Sequence, residues 1–270
     1  MISSGVDAIA PPLGSTGESA YLDDAEWETV ARETVDYVDR RVPTVVGVSD
    51  LTTAGALRRA SIAADAGADA MMILPTSYWH LGEQEIREHV TAVADSVDIP
   101  TMIYNNPATT GIDMSPEFLV DLVSTVDGVT MIKESTGDIT RMNRINELSG
   151  GTIPFFNGSN PLALQSFSAG ASGWCTAAPC LAPPEQVVHF WRLLESGDRS
   201  GAAAVFEQIE PLLKVLVSRG LPSTVKAGLE SLGIDAGLPP PAPAVPRRQH
   251  QDSFVRRSVG GSRCNRRVVT

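Results

Sequence analysis

The sequence predicts an α/β fold, a (β/α)8 TIM barrel that lacks its first strand and helix and carries extra C-terminal helices. Three observations predict it. Short apolar runs alternate with amphipathic helical patterns, which is typical of a parallel sheet covered by helices. Seven such runs occur, one fewer than a closed barrel needs, and the chain opens directly on the first. The length of 270 residues suits one barrel, since barrels take roughly 250 residues.

The predicted strands share a continuous apolar character, as expected of strands that are buried on both faces. They are Val6–Leu13, Thr44–Ser49, Ala70–Pro75, Thr101–Asn106, Thr130–Thr136, Pro154–Ser159 and Ser172–Ala177. Continuous apolar strands that alternate with helices predict a parallel sheet covered on both faces.

Helix start signals lie between the strands. Asp23 with Glu26 three residues later predicts a capping box. Ser115-Pro116 and Asn160-Pro161 each offer an N-cap followed by proline at the first helical position. An amphipathic helix is predicted over 83–95. After the last strand, further helices are predicted at about 183–196, 200–217 and 222–231.

These patterns predict three regions. Residues 1–198 form the barrel from its second strand onward, and residues 199–235 form a C-terminal helical extension. Residues 239–270 are rich in Pro and Arg and carry seven of the 21 basic residues beside one of the 32 acidic residues. This segment has neither structural period, so it is predicted to be a disordered or aberrant tail.

The composition argues against several classes of protein. The formal net charge of −11 disfavours nucleic acid as a partner. No apolar run approaches the ~20 residues of a membrane span and no signal peptide is recognisable, so a cytoplasmic protein without membrane contact is predicted. The three cysteines lack a CxxC pair, and no nucleotide-binding motif occurs. Four scattered histidines weaken the case for a metal, although carboxylates alone can hold a hard cation.

Lys133 and Tyr104 are the first candidate catalytic residues. Lys133 lies within an apolar strand, where burial would lower the pKa of its amine and leave a neutral nucleophile for a carbonyl. Tyr104 is the fourth residue of the preceding strand, as Lys133 is when counted from Thr130, so amine and hydroxyl should meet. The alternatives are a lysine that extends into solvent and a tyrosine that only packs.

Two glycine-containing segments are candidate ligand-binding turns. Gly14-Ser15-Thr16-Gly17-Glu18 follows the first predicted strand, and its hydroxyls and backbone N–H groups suit a carboxylate. Residues 170–175 could bring backbone close to a ligand. Each could equally be an ordinary turn or a site of tight packing. Both segments lie near carboxyl ends of predicted strands, where barrel enzymes build their sites.

Five segments together resemble the dihydrodipicolinate synthase/N-acetylneuraminate lyase family. They are GSTGE, YNNP with Gly111 following, IKESTGD, FNGSN and AGASGW, in the family's order and spacing over about residues 5–235. The resemblance implies a (β/α)8 barrel that acts as a lyase of the class I aldolase type. It also implies a homotetramer and no metal or organic cofactor.

The resemblance also implies residue roles. The lysine that forms the Schiff base falls on Lys133 and the proton-relaying tyrosine on Tyr104. The hydroxyl pair that binds the substrate carboxylate falls on Ser15 and Thr16, and a backbone contact to that carboxylate falls near Cys175. The implied substrate is pyruvate or another 2-oxo acid. Its imine with Lys133 would act as an electron sink for aldol addition or cleavage.

Departures from the family's pattern leave the substrate open. Thr109 stands where dihydrodipicolinate synthases commonly have an arginine that grips the second substrate. The loop over 75–80 differs from the family's, and Tyr78 is the only nearby candidate for the tyrosine that a neighbouring subunit usually lends. Cleavage of a 2-keto-3-deoxy sugar acid and deamination of a hydroxypyrroline carboxylate are therefore alternatives. An inactive truncated barrel and a binding module built on the basic tail are alternatives from other classes.

Overall fold

The computed structural model describes most of the chain, residues 1–237. Excepted are Pro12, Ser15, Thr16, Leu181 and Arg219, and the side chains of Val217 and Ser218. The chain divides into two compact units, residues 1–176 and the residues from 177 onward. The predicted tail over 239–270 lies outside the described residues. The predicted boundary between residues 198 and 199 stays a prediction.

The first unit is built on a parallel sheet. Its strands are β1 (Val45–Gly47), β2 (Ala70–Ile73), β3 (Thr101–Asn105), β4 (Val129–Glu134), β5 (Phe155–Asn157) and β6 (Gly173–Trp174). Each strand pairs in parallel with the next one along the chain, so the strand order is that of the sequence. The predicted α/β class and parallel sheet are confirmed. The (β/α)8 barrel that lacks its first strand and helix stays a prediction.

The predicted strand Val6–Leu13 is wrong over most of its length. Among its described residues, only Ile9 pairs, as an isolated parallel bridge to Thr44. The N–H of Ile9 donates to the carbonyl of Pro43, and the carbonyl of Ile9 accepts from Val45. Pro11, two residues later, has no N–H to continue such a ladder. In the part of this run that the structure describes, the backbone therefore joins the sheet at Ile9 alone.

Among its described residues, the first unit has seven α-helices, of which the first precedes β1 and the others lie between strands. They are α1 (Asp24–Val38), α2 (Thr53–Ala66), α3 (Glu83–Ala94), α4 (Pro107–Thr110), α5 (Pro116–Thr125), α6 (Ile139–Ser149) and α7 (Ala163–Ser168). The predicted capping box is confirmed, because Glu26 N donates to Asp23 Oδ1 at 2.8 Å and Asp23 N donates to Glu26 Oε2 at 3.0 Å. Ser115 likewise caps α5 by accepting from the N–H of Phe118 at 3.1 Å.

Asn160 is not the N-cap that the sequence predicts. The short 3-10 helix Asn160–Leu162 begins at this residue, and Ser159 precedes it as the cap. The side-chain oxygen of Asn160 instead accepts a hydrogen bond from the hydroxyl of Thr176 at 2.6 Å. The asparagine therefore ties two loops together rather than starting a helix.

The two faces of the sheet carry different apolar clusters. Met71 and Ile73 belong to the large cluster that strands and helices of the first unit share. Met72, the residue between them, belongs to a second cluster with Met102 and Tyr104. This alternation follows from the two-residue period of a strand. Tyr104 therefore lies on the face opposite the main strand–helix core.

The second unit is helical. It contains α8 (Pro184–Glu195), α9 (Arg199–Ser218) and α10 (Leu221–Ser231), each within one or two residues of the prediction. Phe190 of α8 and Phe206 of α9 pack with ring centroids 5.4 Å apart. In the described part of the chain, every helix is too short or too polar to cross a membrane.

Candidate active site

Tyr104 and Lys133 meet on neighbouring strands. They are direct register partners in the pairing of β3 with β4. Only 2% of Tyr104 and 7% of Lys133 is exposed. The amine nitrogen Nζ lies 4.0 Å from the centroid of the tyrosine ring, within the range of a cation–π contact. The predicted meeting of amine and phenol is confirmed, and a lysine extending into solvent is excluded.

Lys133 contacts two ionisable neighbours. Its amine hydrogen-bonds to the side chains of Cys175 and Tyr104. Burial, the largest single effect, lowers the pKa of Lys133, but the charges of Cys175 and Tyr104 and these hydrogen bonds together raise it above its ordinary value. The prediction of a lowered pKa is therefore wrong. A raised pKa favours the ammonium form, which must lose a proton before the amine can attack a carbonyl.

Asn106 orients the tyrosine hydroxyl, a role that the sequence analysis missed. Its Nδ2 donates to the Oη of Tyr104 at 2.9 Å, and 6% of the residue is exposed. Asn106 follows Tyr104 by two residues, so a strand-like path would place both on one face. The two-residue spacing in the sequence could have predicted that Asn106 lies beside Tyr104. This hydrogen bond fixes the position of the phenol oxygen beside the amine.

Ser135 is a second residue that the sequence analysis missed. Its Oγ is buried and has no hydrogen-bond partner among the described residues. A Cβ placed on Gly158 would lie 1.7 Å from this oxygen and 3.0 Å from Cε of Lys133. The FNGSN glycine therefore leaves the space that the serine hydroxyl and the lysine stem occupy. A buried hydroxyl without a partner beside the amine is available to a ligand.

Cys175 reaches the amine with its side chain. Its backbone N–H donates to the carbonyl of Asn157 at 2.9 Å, which continues the pairing of β5 and β6. This N–H is thus engaged, whereas the thiol contacts Lys133. The role in binding the substrate carboxylate stays a prediction. Its thiol, which lies beside the amine, raises the pKa of Lys133.

The predicted carboxylate-binding residues Ser15 and Thr16 lie outside the described residues. Gly14, which precedes them, lies beside β2 on the same face as Tyr104, since its Cβ position would be 3.1 Å from Cε of Met72. Gly47, at the end of β1, approaches the carbonyl of Leu13 so closely that a Cβ would lie 2.5 Å from it. The loop that leads into the turn therefore packs against the carboxyl end of β1.

The loops that distinguish this chain from the family's pattern are polar or exposed. Thr109 and Thr110 both donate their hydroxyls to the carbonyl of Asn106, at 3.1 and 3.3 Å, and so close the short helix α4. Tyr78 and Trp79 are 89% and 77% exposed and stack edge to face on each other. Within residues 1–237 as described, no three His, Cys, Asp or Glu side chains are grouped so that they could hold a metal ion.

Comparison with known sequences gives consistent matches. The model of the dihydrodipicolinate synthetase family matches residues 1–259. The 4-hydroxy-tetrahydrodipicolinate synthase of Methanoculleus marisnigri is 32% identical over 238 residues, 88% of this chain and 80% of that protein. The protein of the same name from Methylococcus capsulatus is 34% identical over 234 residues, 86% of this chain and 79% of that protein.

Solved structures agree with the sequence matches. A Pseudomonas aeruginosa protein, provisionally described as a dihydrodipicolinate synthetase, is 48% identical with a TM-score of 0.91, covering 96% of this chain and 88% of that one. Dihydrodipicolinate synthase from Aquifex aeolicus is 27% identical with a TM-score of 0.89, at 96% and 88% coverage. A monomeric dihydrodipicolinate synthase variant is 25% identical with a TM-score of 0.88, at 97% and 87% coverage. Sequence and fold agree that this chain belongs to the dihydrodipicolinate synthetase family.

Proposed function

We propose that the protein is a lyase or synthase that captures pyruvate or another 2-oxo acid as a Schiff base on Lys133. The observation that supports this most strongly is a buried primary amine in contact with a phenol and a thiol. Membership of a family whose named relatives are synthases supports an enzyme of this class. The buried site suits covalent chemistry, because water is excluded from the reacting nitrogen.

The first chemical step is a proton transfer. The ammonium of Lys133 releases one proton, which Tyr104 relays away from the site, and the neutral amine then bonds to C2 of the 2-oxo acid. The former carbonyl oxygen takes one proton from the hydroxyl of Tyr104 and one from the amine nitrogen, and it leaves as water when the protonated imine forms. Asn106, which donates to the Tyr104 oxygen, would stabilise the phenolate that each donation produces.

The imine then activates the neighbouring carbon. The phenolate of Tyr104 takes a proton from C3 to give an enamine, and Tyr104 gives that proton to the oxygen of an aldehyde when the enamine adds to it; the reverse reaction releases an aldehyde. In this proposal Ser15 and Thr16 bind the substrate carboxylate. The partnerless hydroxyl of Ser135 would donate to an oxygen of the bound substrate. No bound metal takes part in these steps, so a chelator should leave the activity unchanged.

The second substrate determines the reaction. The names of the relatives favour 4-hydroxy-tetrahydrodipicolinate synthesis. Thr109, with its hydroxyl bound to a backbone carbonyl, offers no positive charge to a second carboxylate, which favours cleavage of a 2-keto-3-deoxy sugar acid. Deamination of a hydroxypyrroline carboxylate is the third candidate. Coupled assays with each of the three substrates rank them directly.

The proposal extends to architecture and assembly. The similar structures support a (β/α)8 barrel, to which the parallel sheet of the first unit would belong. A homotetramer is proposed with it, and the exposed Tyr78–Trp79 pair is the apolar surface that a second copy would cover. Light scattering of the purified protein measures the number of copies. A monomer would refute the tetramer and leave the chemistry untouched.

Borohydride trapping tests the proposed function. The protein is incubated with pyruvate, reduced, and examined for a stable covalent adduct. We expect an adduct in the wild type and none in Lys133→Ala. Lys214→Ala is the matched control, since this lysine is exposed on α9 and pairs with Glu210 at 2.9 Å. An adduct that survives in Lys133→Ala, or a wild type without any adduct, would refute the proposal.

A further inference from the structure

A second pair of side chains lies directly behind the amine and the phenol. Asn105 and Glu134 are the next residues of β3 and β4 and are also register partners. Successive side chains of a strand point to opposite faces, so this pair points away from Tyr104 and Lys133. Both residues are 0% exposed. A polar pair at such a depth is stable only if each of its groups has a partner.

Asn105 meets that requirement with three hydrogen bonds. Its Nδ2 donates to Glu134 Oε2 and to Asp113 Oδ1, each at 3.1 Å. Its Oδ1 accepts from the N–H of Met114 at 3.1 Å. The amide therefore ties β3 both to β4 and to the loop that follows α4.

Glu134 uses both of its oxygens. Oε1 accepts from the N–H of Thr136 at 2.6 Å, and Oε2 lies 3.5 Å from Nε of Arg141 on α6. Arg141 is largely covered, with 16% of its side chain exposed, and also pairs with Asp113 at 3.0 Å. A carboxylate without access to water needs this guanidinium as its counter-charge. A glutamine in place of Glu134 would direct an NH2 group at a neighbouring hydrogen-bond donor, where the carboxylate now accepts.

We propose that Asn105, Glu134 and Arg141 form a positioning unit that holds Tyr104 and Lys133 in the alignment that proton transfer requires. The unit acts through the strands, because the carbonyls of Asn105 and Glu134 accept from the N–H groups of Ser135 and Gly158 at 3.0 and 2.8 Å. The inference rests on the proposed function, since it concerns the same amine. Misplacing reacting groups by about 1 Å costs about 10²-fold in rate, so a small loss of alignment is measurable.

Arg141→Met tests the unit, with Arg144→Met as its control on the same helix. Arg144 pairs with the exposed Glu117 and Glu147, so its loss should leave trapping within about 2-fold of wild type. For Arg141→Met we expect the maximal rate of pyruvate trapping to fall by about 10-fold or more. The half-saturating pyruvate concentration should change by less than about 3-fold, and Arg141→Lys should recover part of the rate.

A double-mutant cycle separates positioning from general loss of structure. If the unit acts through Tyr104, Arg141→Met should cost less than about 3-fold in the Tyr104→Phe background. Equal losses in both backgrounds would overturn the proposal. If Arg141→Met does not fold, as judged by its urea transition, Asn105→Ser is used, which removes the tie between the strands and keeps the ion pair.

The outcomes distinguish this proposal from the one on which it rests. A wild type that traps pyruvate while Arg141→Met and Arg144→Met behave alike refutes the positioning unit and leaves the Schiff-base chemistry standing. A wild type that traps nothing refutes the Schiff-base chemistry, and the positioning unit with it. Both proposals are supported if Arg141→Met slows trapping, Arg144→Met does not, and the effect of Arg141→Met disappears in the Tyr104→Phe background.

Discussion

Gly158→Ala should damage stability and chemistry together. The added Cβ would lie 1.7 Å from Oγ of Ser135 and 3.0 Å from both Cβ of Ser135 and Cε of Lys133. Non-bonded carbon atoms ordinarily keep about 3.5–4.0 Å between them. The serine hydroxyl can rotate, but its Cβ and the lysine stem cannot both withdraw without a shift of β4. Overpacking of this kind costs about 1–3 kcal/mol in free energy of unfolding.

Two assays measure the effect. Urea denaturation should show the loss of about 1–3 kcal/mol, and pyruvate trapping should slow by about 10-fold or more because Lys133 is displaced. Ser135→Gly combined with Gly158→Ala is the control, since it removes both serine atoms that the new methyl meets. The double variant should regain most of the stability. Unchanged stability and trapping in Gly158→Ala would refute the close packing of this glycine on the lysine.

Three further predictions concern single side chains. Cys175→Ala removes a charge that raises the pKa of Lys133, so the pH of half-maximal trapping should move down; an upward shift would contradict this. Burial lowers the pKa of His89, only partly opposed by Asp50, so protonation favours the unfolded state. Stability should therefore fall as the pH drops below about 6.5, less so in His89→Gln, as urea midpoints at several pH values would show. Tyr104→Phe should slow turnover by about 10²-fold, and unchanged turnover would exclude the hydroxyl as proton relay.

The meeting of Tyr104 and Lys133 could be predicted because parallel strands carry a regular register. Counting four residues from Thr101 and from Thr130 gave the correct pair, although β4 begins at Val129. A register shift between Thr101 and Met102 absorbs the additional residue, since Thr101 pairs with Val129 and Met102 with Met131. Counting from the true start of β4 would have missed the pair by one residue.

The charge of the amine could not be predicted in the same way. Burial was read correctly from the apolar run around Lys133, and burial does lower the pKa. The outcome depends on Cys175, which is distant in sequence and reaches the amine only through the order of the strands. Arg141 and Glu134 pose the same difficulty, since their pairing depends on how α6 packs behind β4. Periodicity predicts which face a residue occupies, whereas the identity of its partners requires the fold.

The most direct test of this account is to locate the covalent adduct by peptide mass mapping after reduction with borohydride in the presence of pyruvate. We predict one modified peptide, the one that contains Lys133, and no modification of Lys214 or Lys226. Modification of either of those lysines with Lys133 untouched, or of no lysine at all, would contradict it.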